Sequence, residues 1–137
     1  MKKKIDLVFI TATLIEAVVK LSTSSNKSAN ELVKITALMV DDLPTIGEFS
    51  KYEPMSKSEM LENIRPIKKL ELPYIISFFV DMVCKLAINN HECPTKYLTI
   101  VSGLFASALM EFDFNNYEPL SNFDIIERVI VIIFELY

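Results

Sequence analysis

The chain contains its own near-copy. Displaced by 65 residues without a gap, Lys3–Ile64 lies on Lys68–Val129, and 14 of the 62 aligned pairs are identical. Lys3-Lys4-Ile5-Asp6-Leu7 meets Lys68-Lys69-Leu70-Glu71-Leu72, and Val18-x-Lys20-Leu21 meets Val83-x-Lys85-Leu86. Phe49-x-x-Tyr52-Glu53-Pro54-Met55-Ser56 meets Phe114-x-x-Tyr117-Glu118-Pro119-Leu120-Ser121. Fifteen of the remaining 48 pairs exchange one apolar residue for another. A period of this length means that one supersecondary unit is written twice, and each unit must cover the apolar stripe of its neighbour.

Each unit reads as three helices. The first runs from about Ile5 to Leu21, with Leu7, Ile10, Leu14, Val18 and Leu21 on one face. Its counterpart carries Ile75, Phe79, Val83 and Leu86, with Ile76 and Val80 widening the stripe, and Pro73 suits a first helical turn. The second helix opens on the capping box Ser28-Ala29-Asn30-Glu31, places Leu32, Ile35 and Met39 inward, and should close at Pro44. Its counterpart starts at Pro94 and places Leu98, Val101, Phe105 and Ala108 inward, with Ala106–Met110 extending it by about a turn.

The third helix carries the clearest start signal. Ser56 with Glu59, and Ser121 with Asp124, are capping boxes, each framed by apolar residues at N′ and N4. The preceding Tyr-Glu-Pro of each copy is expected to stiffen the entry, with the tyrosine hydroxyl on a backbone group. Arg65-Pro66 should stop the first copy, whereas Val129–Phe134 continues the second as helix. The expected fold is all-α. It is a single domain, residues 1–137, of six helices in two tandem three-helix repeats, 1–66 and 67–137, related by a pseudo-twofold axis. A three-helix unit of this size buries too little to stand alone.

Composition agrees with helices: 51% of residues are apolar and only 2 are glycine. The net charge is −4, and the acidic excess lies wholly in the second copy, which disfavours nucleic acid as a partner. Cys84 and Cys93 are too few for a disulfide framework and read as reduced thiols of a cytoplasmic protein. Lys2-Lys3-Lys4 ahead of Ile5–Val19 has the outline of a secretion leader. Asp6 and Glu16 interrupt it, and the same segment recurs internally at Lys68–Cys84, so a helix is expected. No uninterrupted apolar run has the length of a membrane span.

The duplicated pattern of long helix, polar loop, acid-capped helix and turn into a third helix resembles the TerB-like domain of tellurite-resistance proteins. Val18–Ile35, Val83–Ile100 and the stretch from Pro66 to Pro73 carry the resemblance. It implies a helical fold acting in bacterial stress-related or membrane-associated complexes, and a metal- or ligand-responsive regulator as the alternative function. The family's acidic Asp-Gly loops are replaced here by Ser24-Ser25-Asn26-Lys27 and Asn89-Asn90-His91-Glu92, so metal binding does not carry over.

No Gly-rich phosphate loop and no HExxH sequence occurs. His91-Glu92-Cys93, with Cys84 upstream, has metal-ligating chemistry, but three adjacent side chains do not close around one zinc ion, and no second pair exists. Asp41-Asp42 and Glu111-x-Asp113 lie near helix ends and read as solvated acids. Neither a catalytic residue, a metal site nor a cofactor is assigned. Met39, Met55, Met60, Met82 and Met110 are adaptable fillers of cores or partner surfaces. The expectation is a non-enzymatic protein-interaction module, of the kind found among bacterial immunity or stress-response proteins. Glu111, Asp113, Glu118, Ile132 and Phe134 are its candidate contacts, with another protein or a second copy as partner.

Overall fold

A computed structural model describes residues 5–46, 49, 52–64 and 71–137. Among these the chain forms helices α1 (Leu7–Ser22), α2 (Ala29–Ile46), α3 (Lys57–Ile64), α4 (Leu72–Asn89), α5 (Pro94–Glu111) and α6 (Asn122–Leu136). One 3-10 turn, Phe114–Asn116, precedes α6, and there is no strand among the described residues. The helices α4, α5 and α6 each begin 65 residues after α1, α2 and α3 respectively. The expected stop at Arg65-Pro66 and most of the stretch from Pro66 to Pro73 lie outside the described residues.

Local chemistry sets these boundaries. Asp6 caps α1, its Oδ1 accepting from the Phe9 amide at 2.9 Å. Ser56 and Glu59 form a reciprocal box on α3: Ser56 Oγ accepts from the Glu59 amide at 3.3 Å, and Glu59 Oε1 from the Ser56 amide at 3.4 Å. Ser121 caps α6 through the Asp124 amide at 3.2 Å. The staple partners Met60 and Ile125 are both buried. The box at Ser28 is only half made. Its Oγ accepts from the Glu31 amide at 3.2 Å, while the Glu31 carboxylate lies 3.8 Å from Lys27 Nζ.

Two expectations for α2 need correction. Pro44 lies inside the helix, which ends two residues later at Ile46. The proline removes one backbone donor but sits close enough to the end that the last turn still forms. The inner stripe is also turned, with Leu32, Val33, Thr36 and Val40 buried and Ile35 and Met39 only half-buried. Thr36 tolerates full burial because its hydroxyl donates to the Leu32 carbonyl at 2.8 Å.

Counterpart helices touch, α1 with α4, α2 with α5 and α3 with α6, and α1 also packs on α2, α5 and α6. Buried residues from both halves form one cluster. Helix α4 is the most immersed, and by length and composition alone it could cross a membrane. Here Ile75, Phe79, Val83 and Leu86 lie in the protein core, together with Ile76 and Val80.

In the middle of α4, Asp81 is 1% exposed, and on α1 its counterpart Glu16 is 6% exposed. A carboxylate buried this deeply needs donors on both oxygens. Each acid takes them from the other half of the chain. Asp81 Oδ1 accepts from the Tyr52 hydroxyl, and Oδ2 from the Met55 amide at 2.7 Å. Glu16 Oε1 accepts from the Tyr117 hydroxyl, and Oε2 from the Leu120 amide at 2.7 Å. The tyrosines therefore meet carboxylates rather than the expected backbone groups.

Hydrogen bonds to a buried charge contribute about 1.5–3 kcal/mol each. Tyr52→Phe and Tyr117→Phe should each destabilise the fold by about 2 kcal/mol in denaturant unfolding. Asp81→Ala, which orphans two donors at once, should cost more than either. Asp81→Asn should fall between, since its amide can keep the Met55 bond while donating to Tyr52. Equal stability of wild type and Asp81→Ala would contradict this assignment.

The same clamps set an alkaline limit. Burial, then the hydrogen bond to Asp81, pushes the Tyr52 hydroxyl well above its ordinary value of 10.0. The hydrogen bond to Glu16, then burial, raises Tyr117, and burial with the nearby Asp81 pushes the Cys84 thiol up from 9.0 to about 12. The folded state holds these protons more tightly than the unfolded chain does. Their contribution is complete below the unfolded values and is lost as pH rises through the folded ones. The unfolding midpoint should fall from about pH 9 upward, and Tyr52→Phe/Tyr117→Phe should flatten the portion above about pH 10.

Candidate interaction surface

The residues expected to meet a partner divide into two groups. Glu111, at the end of α5, and Glu118, after the 3-10 turn, are exposed. Phe134 is 55% exposed on α6, with Lys57 Nζ 4.0 Å from its ring centroid. Ile132 is fully buried, which removes it from any partner surface. The reason is length. Helix α6 continues seven residues past the position matching the end of α3, and packs against both α1 and α4. That extension buries Ile132, Ile133 and Leu136, and Asn89 Nδ2 fastens its end by donating to the Leu136 carbonyl at 2.8 Å.

Asp113 is exposed, yet it is already engaged within the chain. Its Oδ1 accepts from Asn30 Nδ2 at 2.9 Å and from the Asn115 amide at 3.1 Å, and its Oδ2 accepts from Asn116 Nδ2 at 2.6 Å. Asn30 Oδ1 in turn accepts from the Phe114 amide at 2.7 Å. The hydrogen bond from Asn30, foremost among these donors, holds the Asp113 carboxyl below its ordinary range. This network locks the α5–α6 connection onto the start of α2, so Asp113 is a tie between the halves.

That connection presents unexpected apolar surface. Met110 is 90% exposed, Phe112 55% and Phe123 74%. Phe112 rests on the buried Phe114, ring centroids 6.0 Å apart, and Phe114 meets Tyr117 edge-on at 6.1 Å. The aromatic side chains thus stand on a backbone pinned by Asp113 and by the Tyr117–Glu16 bond. Sequence reasoning passed over Phe112 and Phe123, although a signal was available. The first copy has Thr45, Gly47 and Ser58 where the second has Met110, Phe112 and Phe123. Met110, Phe112 and Phe123 are apolar side chains gained in the second copy and left exposed, which the packing of the core does not explain.

His91, Glu92 and Cys93 have separate structural roles. His91, at φ 56°, occupies the left-handed position that closes α4. Its amide donates to the Ile88 carbonyl at 3.1 Å and the Glu92 amide to the Ala87 carbonyl at 2.8 Å, the paired bonds of a Schellman ending. Glu92 pairs with Lys96 at 3.3 Å, and Cys93 is the N-cap residue of α5. Among the described residues no three His, Cys, Asp or Glu side chains gather as metal ligands. Asp41 accepts from Ser102 Oγ at 2.9 Å, bracing α2 against α5.

The thiols differ in the same way. Cys84 is buried with its thiol pushed up to about 12, whereas hydrogen bonds from Thr95 lower that of exposed Cys93. An aromatic disulfide reagent at pH 8 should modify one thiol at once, and the second only in denaturant. Cys93→Ser should abolish the fast phase, and two fast thiols would contradict the burial of Cys84.

No family model, curated protein or solved structure matches this chain.

Proposed function

We propose that the protein is a non-enzymatic helical interaction module whose α5–α6 connection docks a protein partner. The observation that carries this reading is the exposure of Met110, Phe112 and Phe123 where the first copy has Thr45, Gly47 and Ser58. Apolar side chains held in water without a structural role are retained at the expense of solubility unless something covers them. Aromatic residues are the side chains that most often anchor protein interfaces. Glu111 and Glu118 are interspersed with them in sequence, so the complementary face is apolar with basic groups. Asp113 supports the surface from within. A small immunity or stress-response protein, acting by shape and charge alone, is the kind of molecule this describes.

The test compares wild-type protein with Met110→Ser/Phe112→Ser/Phe123→Ser and with Glu111→Lys/Glu118→Lys, each used to capture partners from the native host. A stoichiometric partner should bind the wild type. The apolar variant should weaken it by about a hundredfold and the charge variant by about tenfold, with helix content unchanged in both. Capture insensitive to both variants would defeat the proposal. So would a wild type that retains nothing. If sedimentation shows the wild type self-associating and the apolar variant monomeric, the partner is a second copy of this chain.

A further inference from the structure

Between α1, α3, α4 and α6 lies a cavity of about 200 Å³. Ile75, Phe79, Ile125 and Val129 form its buried apolar lining. Half-exposed Lys20 and exposed Tyr74 and Asn122 border it on the solvent side. The Tyr74 hydroxyl donates to the Asn63 carbonyl at 2.8 Å, which fixes one edge of the opening.

Comparison of the two copies shows why there is space here. Ala17 lines the cavity, and the residue 65 positions on is Met82, which is fully buried. The alanine leaves unfilled the volume a methionine side chain would take. The lysines differ as well. Lys85, the counterpart of Lys20, has its Nζ 5.2 Å from the Tyr137 ring centroid. Among the described residues that border the cavity Lys20 is the charged one, and among the described residues it has no ion-pair partner. It stands in the last turn of α1, where the free carbonyl ends favour a cation. An apolar hollow with one unneutralised ammonium group at its edge calls for an amphiphile with an anionic head.

We infer that this cavity binds a medium-chain aliphatic carboxylate, its tail against Phe79, Ile125 and Val129 and its head on Lys20. Size sets the chain length. An apolar cavity of about 150 Å³ accommodates benzene, so a somewhat larger one takes a tail of about six to eight carbons. The ammonium selects the carboxylate over the neutral alcohol of the same length, and it opposes a cationic amphiphile. Nothing in this inference depends on the α5–α6 surface, so either can fail alone.

Octanoate and 1-octanol are the probes, followed by calorimetry and by contacts between labelled octanoate and the rings and methyls of the protein. Octanoate should bind saturably at one site, with contacts to Phe79 and Ile125, and at least tenfold more tightly than 1-octanol. Lys20→Gln should erase that preference by weakening octanoate about tenfold while leaving 1-octanol unchanged. Ala17→Met, which copies Met82 into the first half, should abolish binding of both. If that variant does not fold, the contacts and the Lys20→Gln comparison decide by themselves. Absence of saturable binding, contacts elsewhere, or octanoate affinity unaffected by Lys20→Gln overturns the inference.

Discussion

Two buried carboxylates hold this fold together, and among the described residues each takes its donors from the opposite half of the chain. Glu16 on α1 takes both its donors from the segment that leads into α6, and Asp81 on α4 takes both from the segment that leads into α3. An acid on the inner face of a helix is costly unless both oxygens are bonded. Neither half, folded alone, contains the donors its own acid uses. Docking of the halves therefore supplies apolar burial and the compensation of two charges together. That coupling favours one cooperative structure over two loosely associated three-helix units. It also selects the correct pairing, because a slipped register would leave a carboxylate in the core without partners.

Around these clamps the halves differ in length and in volume. Helix α3 ends at Ile64, whereas α6 runs to Leu136 and lays its last two turns over α1 and α4. The same extension that looked like spare apolar surface turns Ile132 and Ile133 into core. Further ties are particular to one pairing: Asn30 with Asp113 and Phe114, and Asn89 with Leu136. The first joins the start of α2 to the α5–α6 connection and the second joins the ends of α4 and α6, where backbone groups would otherwise lack partners.

Much of this was legible as sequence. The period of 65 residues located all three pairs of helices, and the Ser-x-x-acid boxes with their staples set the starts of α3 and α6 within a residue. Such signals are readable because their physics is local. Less legible was anything requiring knowledge of what faces what. Glu16 and Asp81 match each other in the repeat, as do Tyr52 and Tyr117, yet nothing within one copy says that acid and tyrosine meet across the pair. Thr13 and Thr36 are fully buried although a hydroxyl normally argues for solvent. In both, the hydroxyl returns to a carbonyl four residues back, which leaves only methyl-sized surface to bury. Of the five expected partner contacts, Glu111, Glu118 and Phe134 are exposed, Ile132 is interior, and Asp113 is engaged within the chain.

The repeat is itself the best guide to which differences matter. Many positions buried in both copies are apolar in both, as Ile10 with Ile75 and Val18 with Val83 are, whereas buried Thr13 and Thr36 match Phe78 and Val101. Where the copies part company, the fold has stopped dictating the residue, and a change in polarity or volume requires another cause. Serine to phenylalanine at an exposed third-helix position adds surface that water opposes. Methionine to alanine at an inner first-helix position removes contacts that packing favours. Both changes run against stability, in opposite directions of volume, and they fall at separate places in the molecule. A duplicated chain that drifted under stability alone would tend to lose such features. Their presence in one copy each is the physical ground on which we propose recognition for the outer face of the second half and for the hollow beside Ala17.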